Sequence, residues 1–130
     1  MFRSDQVVRK SQTIHYSRLM PRPNRETGRL ETSVCRSQYL TEAQVWEICS
    51  LHFDSRAPKP ATGRGVGPAG AVFQVDLHFD ADRKPYREHA NIIGWRDSAN
   101  TPYDEQEHFW MDQAQRMAPH FSYVPRFRSD

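Results

Sequence analysis

The sequence predicts an α+β domain: a small mixed or antiparallel sheet with two helices packed on one face, and irregular N- and C-terminal extensions. Three observations carry that expectation. Residues 30–36 and 71–79 alternate apolar and polar side chains with the period of a strand. Helical spacing follows a capping signal at Thr41 and again at Thr101. The resulting order, strand–helix–strand–strand–helix, suits helices gathered on a sheet. A chain of 130 residues is enough for one modest core. Its expected parts are a basic arm over 1–29, a body over 30–118 and an aromatic, basic tail over 119–130.

In the arm, Ile14, Tyr16 and Leu19 suit a short strand or a docked segment, and the Pro, Asn and Gly residues that follow mark a loop. Leu30, Thr32 and Val34 alternate with Glu31, Ser33 and Cys35, which favours a strand. Thr41 and Gln44 have the spacing of a capping box, in which each side chain satisfies a backbone donor of the other residue. Behind them Val45, Ile48, Cys49 and His52 share one side of a helix running to about Phe53.

Residues 57–70 are too rich in Pro and Gly for a helix or an inner strand. Ala71, Phe73, Val75, Leu77 and Phe79 then fall at every second position, so the expected strand turns Val72, Gln74, Asp76, His78 and Asp80 to its other face. A turn at 82–85 leads to a second strand over about 88–96, apolar on both faces and therefore central. Thr101 as cap, Pro102 at the first helical position, and Asp104 and Glu105 in the first turn begin the last helix, which Pro119 stops. Tyr103, Trp110, Ala114 and Met117 form its apolar stripe. The tail is either a strand or an ordered extension.

Leu, Ile, Val and Phe make up 24 of the 130 residues, below the usual level for a self-sufficient globule. Net charge is only +2, so the composition is not that of a disordered chain. The charge is uneven: residues 1–36 hold eight basic and three acidic side chains, whereas 97–112 hold five acids and no Lys or Arg. Such an arm either seeks an acidic partner or is simply well solvated. The N-terminus lacks the apolar core of a signal peptide, and no stretch approaches the ~20 apolar residues of a membrane span. With Cys35 and Cys49 expected as reduced thiols, a cytoplasmic setting without a membrane is the simple inference.

Several groups of residues invite a chemical reading. Asp76, His78 and Asp80 in a row suit a metal site, since i and i+2 on a strand can share an ion. His89 suits acid–base work if a carboxylate such as Asp76 orients it. The same residues also suit an ordinary wet sheet face. Arg64 among Gly63, Gly65, Gly67 and Gly70 has the composition of a phosphate loop, but the loop precedes a strand instead of a helix, which favours a connector or lid. Ser33 lies in no Gly-x-Ser-x-Gly elbow, so the sequence lends no support to a hydrolase of that type. Tyr123, Arg126, Phe127 and Arg128, with Arg18, Arg22 and Arg25 of the arm, are the mixture that stacks bases and neutralises phosphates, or that builds protein interfaces.

Residues 30–36 (LETSVCR) with the Val45-Trp46-Glu47-Ile48 helix, and residues 89–95 (HANIIGW), together resemble a group of small bacterial proteins without an assigned function. Members of that group often carry Pro after the Gly-Trp pair, where Arg96 stands here. The resemblance implies a compact bacterial cytoplasmic domain and directs attention to Arg36 and His89; it brings no reaction, cofactor or partner. A permanent guanidinium near an imidazole suits an anionic group. Two functions follow as expectations. The first is a small accessory protein that docks a larger assembly, nucleic-acid machinery included, or pairs with a second copy of itself. The second is an enzyme of phosphoryl or nucleotide chemistry, with His89 as acid/base, Arg36 as anion clamp and Asp76 or Asp80 as orienter or ligand. No cofactor is indicated.

Overall fold

The computed structural model describes residues 7–8, 13–56, 59–97 and 101–126. They form eight strands and three helices: β1 (Val7–Val8), β2 (Thr13–Ile14), β3 (Arg22–Pro23), β4 (Leu30–Cys35), α1 (Glu42–His52), β5 (Gly63–Val66), α2 (Ala69–Phe73), β6 (His78–Ala81), β7 (His89–Ile93), α3 (Glu107–Met117) and β8 (Ser122–Pro125). All pairing is antiparallel, as the α+β expectation allows, and it is divided between two sheets of order β1-β2-β8-β5 and β3-β4-β7-β6.

Local signals account for much of this. Thr41 caps α1 through the expected reciprocal box: its side chain accepts from Gln44 N–H, and the Gln44 side chain accepts from Thr41 N–H. Between β4 and β6, strand β7 is buried on both faces over residues 89–92, the central place its composition implied. The last helix starts later than expected. Tyr103–Glu105 is a 3-10 turn and α3 begins only at Glu107, while the Thr101 carbonyl accepts from the Gln106 side chain instead of Thr101 capping the helix.

The expected strand over 71–79 requires correction. Pro68 precedes a short helix over Ala69–Phe73, and a strand appears only from His78. Val72, assigned to the wet face, is 1% exposed, whereas Phe73, assigned to the core face, is 56% exposed. Ala71, Val72 and Val75 fit the i, i+1, i+4 spacing of one helical side as well as the alternation fits a strand, and burial of Val72 decides between them. Leu77 N–H bonds to Val72 carbonyl oxygen and closes the turn, which Asp76 passes at φ 62°.

The core lies between α3 and the second sheet. Trp110, Ala114 and Met117 of α3 meet Leu30, Leu77 and Ile92, together with Ile14 and Leu19 from before residue 30. The core thus draws in part of the expected arm, and β8, in the expected tail, is an inner strand of the first sheet. Trp110 donates to the Arg96 carbonyl at 2.7 Å. No helix among the described residues is long and apolar enough to cross a membrane.

Candidate functional site

Antiparallel pairing presents backbone groups alternately to the two neighbours of a strand. Arg36 N–H bonds to the Glu88 carbonyl, so the register Cys35↔His89, Val34↔Ala90 turns the backbone groups of Thr32, Val34 and Arg36 toward β7. Those of Glu31, Ser33 and Cys35 face the other way. There β3 reaches only Leu30 and Glu31. Beyond it, Ser33 and Cys35 present an open edge, with no main-chain hydrogen bond on that side to any described residue.

Strand β5 repeats the situation. Arg126 N–H bonds to the Thr62 carbonyl, so Arg64 and Val66 face β8 and Gly65 faces outward. The strand lies at the end of its sheet. Both open edges line one cavity of about 540 Å³. Consecutive residues 32–38 border it, although their side chains point alternately to opposite faces. The cavity therefore borders the edge of β4 and also extends over the sheet face that Val34 shares with Ile92 of β7 and Phe79 of β6; residues 64–67 border it from β5.

Apolar side chains floor the cavity, among them Val34, Val45, Val72, Phe79, Ile92 and Phe121, and Arg18, Arg36 and Arg64 stand at its walls. The Arg36 guanidinium donates to the Arg87 carbonyl at 2.9 Å. The Arg64 side chain, only 14% exposed, pairs with Glu42 through Nη2, while its Nε is buried without a hydrogen-bond partner among the described residues. A buried donor left unpaired costs about 1–3 kcal/mol, a penalty that an acceptor entering the cavity would remove.

His89 is buried and held at both ring nitrogens. Nδ1 lies 2.9 Å from the Asp82 carbonyl oxygen and Nε2 lies 2.7 Å from Ser33 Oγ. Arg36 is close in register, one residue past the partner of His89. Asp76 is not brought to this end. Asp82 stands opposite His89 and His78 opposite Ile93, so His78 is four residues away along the ladder, about 13 Å at ~3.3 Å per residue. Asp76 lies further still, in the turn, so it does not orient His89.

The expected metal row is likewise dispersed. Asp80 accepts from Arg29 at 2.7 Å, and Arg29 also binds Glu31 at 2.5 Å. The His78 ring lies against Gly94, where a Cβ would stand 3.0 Å from it. No group of three or more His, Cys, Asp or Glu side chains among the described residues is placed to hold a metal ion.

The expected basic and aromatic surface is largely used by the fold. Arg126 donates to Asp54 at 2.8 Å, to the Ala61 carbonyl at 3.3 Å and to Ser50 at 2.9 Å, and lies over the Trp46 ring. Tyr123 donates to the Thr62 carbonyl at 3.3 Å and packs its ring where a side chain at Gly63 would stand. Arg22 belongs to β3 and Arg25 to the turn after it, both exposed. Phe127 and Arg128 lie outside the described residues.

Burial pushes the Tyr86 phenol up, and its hydroxyl too has no partner among the described residues. Burial also pushes the Cys49 thiol up to about 11, with Asp54 adding to the effect, and raises Cys35 in the same direction. Neither thiol is set up as a nucleophile.

The cleft is the feature that sequence reasoning missed. Arg64 had drawn attention, but as part of a phosphate loop; the strand on which it sits is defined by residues some sixty positions later, in β8. No protein-family model, curated protein or solved structure shows a significant match to this chain.

Proposed function

We propose that the chain is a protein-interaction module that takes an extended peptide segment into the cleft between β4 and β5. The segment pairs with the open edges by strand addition and sets a carboxylate against Arg64. One observation carries this reading: two unpaired strand edges border the same cavity above an apolar floor. In such recognition the main-chain bonds supply affinity and alternate side chains supply specificity. Residues 33–35 offer about 10 Å of edge at ~3.3 Å per residue, room to pair a segment of roughly three residues. Arginines 18, 36 and 64 at the walls favour acidic side chains or a free C-terminus. The reading keeps the expectation of an accessory protein that docks something larger. It gives nucleic acid no part, because Tyr123 and Arg126 are engaged within the fold.

The test is selection of a random heptapeptide display library on the full chain, with the variants C35P and R64M used in parallel. Proline at an edge position whose N–H faces outward leaves the ladder to β7 intact. The expected result is enrichment of alternating apolar positions with an acidic residue or free carboxylate, weakened at least tenfold by C35P and by R64M, both folded by circular dichroism. Failure to enrich any sequence, or enrichment indifferent to both variants, overturns the proposal.

A further inference from the structure

The side chains of Ser33 and His89 are unused by the cleft's strand-pairing role. Nδ1 of His89 faces the Asp82 carbonyl oxygen, which bears no hydrogen, so the neutral ring carries its proton there and leaves Nε2 as an acceptor. Ser33 Oγ, at 2.7 Å, then donates to Nε2. The Asp82 carboxylate lies 3.9 Å from Nδ1, near enough to stabilise an imidazolium once it forms. The edge of the Tyr86 ring closes on His89 at 5.4 Å between centroids. The base is thus shielded, its side chain 9% exposed, while Ser33 is an exposed residue. A hydroxyl, a base that takes its proton and a group that orients the base are the parts of an activated serine nucleophile. The Ser33 N–H, turned outward on the open edge of β4 and without a main-chain partner among the described residues, supplies a donor beside the Oγ.

We propose that Ser33 is a nucleophile activated by His89 and accepts an acyl group from activated carboxylic esters. Ser33 Oγ bonds to the ester carbonyl carbon as the bond from that carbon to the leaving oxygen breaks. The hydroxyl proton passes to His89 Nε2 and from there to the departing oxygen, giving the free alcohol. Water, its proton taken by the same nitrogen, then bonds to the acyl carbon as the bond from that carbon to Ser33 Oγ breaks; the proton returns from Nε2 to Oγ and the carboxylic acid leaves. This inference does not rest on peptide binding in the cleft.

The experiment treats the full chain with p-nitrophenyl acetate, follows nitrophenolate release and maps the acetyl group by peptide mass spectrometry. The variants are S33A, H89N and D82N. H89N retains an N–H for the Asp82 carbonyl while removing the acceptor facing Ser33. The expected result is acetyl on Ser33, none in S33A, and release slowed about 100-fold in folded H89N, the scale of a lost general base. Should H89N fail to fold, D82N carries the test, with slowed release expected because the imidazolium loses its neighbouring charge. Acetylation confined to lysines or the N-terminus, or release unchanged in S33A or in folded H89N, overturns the proposal; so does unchanged release in D82N where H89N does not fold.

Discussion

Replacing Asp54 by Asn removes one negative charge from the contact that ties the end of β8 to the end of α1. The Asp54 carboxylate accepts from Arg126 at 2.8 Å and from the Ala61 N–H at 3.0 Å, and the two side chains are 18% and 14% exposed. Breaking a buried pair costs about 3–5 kcal/mol and an exposed one about 0–1 kcal/mol. This pair is mostly shielded, and Arg126 keeps Ser50 and the Ala61 carbonyl as acceptors, so a loss of about 2–3 kcal/mol is expected at pH 7. At ~2.1 cal/mol/K of unfolding entropy per residue, that lowers Tm by about 7–11 °C. Urea unfolding followed by tryptophan fluorescence measures it, since Trp46 lies under Arg126. The pH dependence has a defined sign. Burial pushes the Asp54 carboxyl up, but the bonds from Arg126 and Ala61 outweigh it and hold the group below its ordinary 3.8. Its contribution is therefore complete above the unfolded value and fades as pH falls through the lower folded one. The gap between wild type and D54N should close as pH drops below about 4. A loss under about 0.5 kcal/mol at pH 7, in the range of an exposed pair, would refute the reasoning.

Three further changes probe the fold. Trp110→Ala empties the centre of α3's contact with the sheet and strands the Arg96 carbonyl; a loss of about 3–5 kcal/mol in urea unfolding is expected. Thr41→Ala deletes the acceptor of the Gln44 N–H and should cost about 1 kcal/mol in the same assay. Tyr86→Phe removes a buried hydroxyl that has no partner among the described residues, so thermal stability should hold or rise by up to about 1 kcal/mol; a clear loss would show that the hydroxyl is bonded.

What the sequence makes legible here is what neighbouring residues decide among themselves. The capping box of α1, the alternation of β4 and the stripe of α3 are all set within a few positions, and each forms as read, except that Tyr103 of the stripe lies in the 3-10 turn ahead of α3. The stretch 71–79 satisfies two periods at once, and only contacts with distant residues select the one that buries Val72 and Val75. In β5, Gly63 and Gly65 have no side chains to show a strand period, so its strand state follows from pairing with residues 122–125. His89 stood out by residue type, whereas its partner Ser33 lies 56 positions earlier without a local signature. The cleft has no linear trace at all, because it is the space between two edges belonging to different sheets.

The open edges are tested most directly by amide hydrogen exchange, resolved by residue, in the free chain and after adding the heptapeptide selected above. Within β4, Thr32 and Val34 should exchange slowly in the free chain and Ser33 and Cys35 quickly, because only the first two donate to β7. In β5, Gly65 should exchange faster than Arg64. Adding the peptide should slow Ser33, Cys35 and Gly65 while leaving Thr32 and Val34 as they were. Ser33 and Cys35 already as slow as Val34 without peptide, or still fast when the peptide is bound, would contradict a cleft that receives a strand.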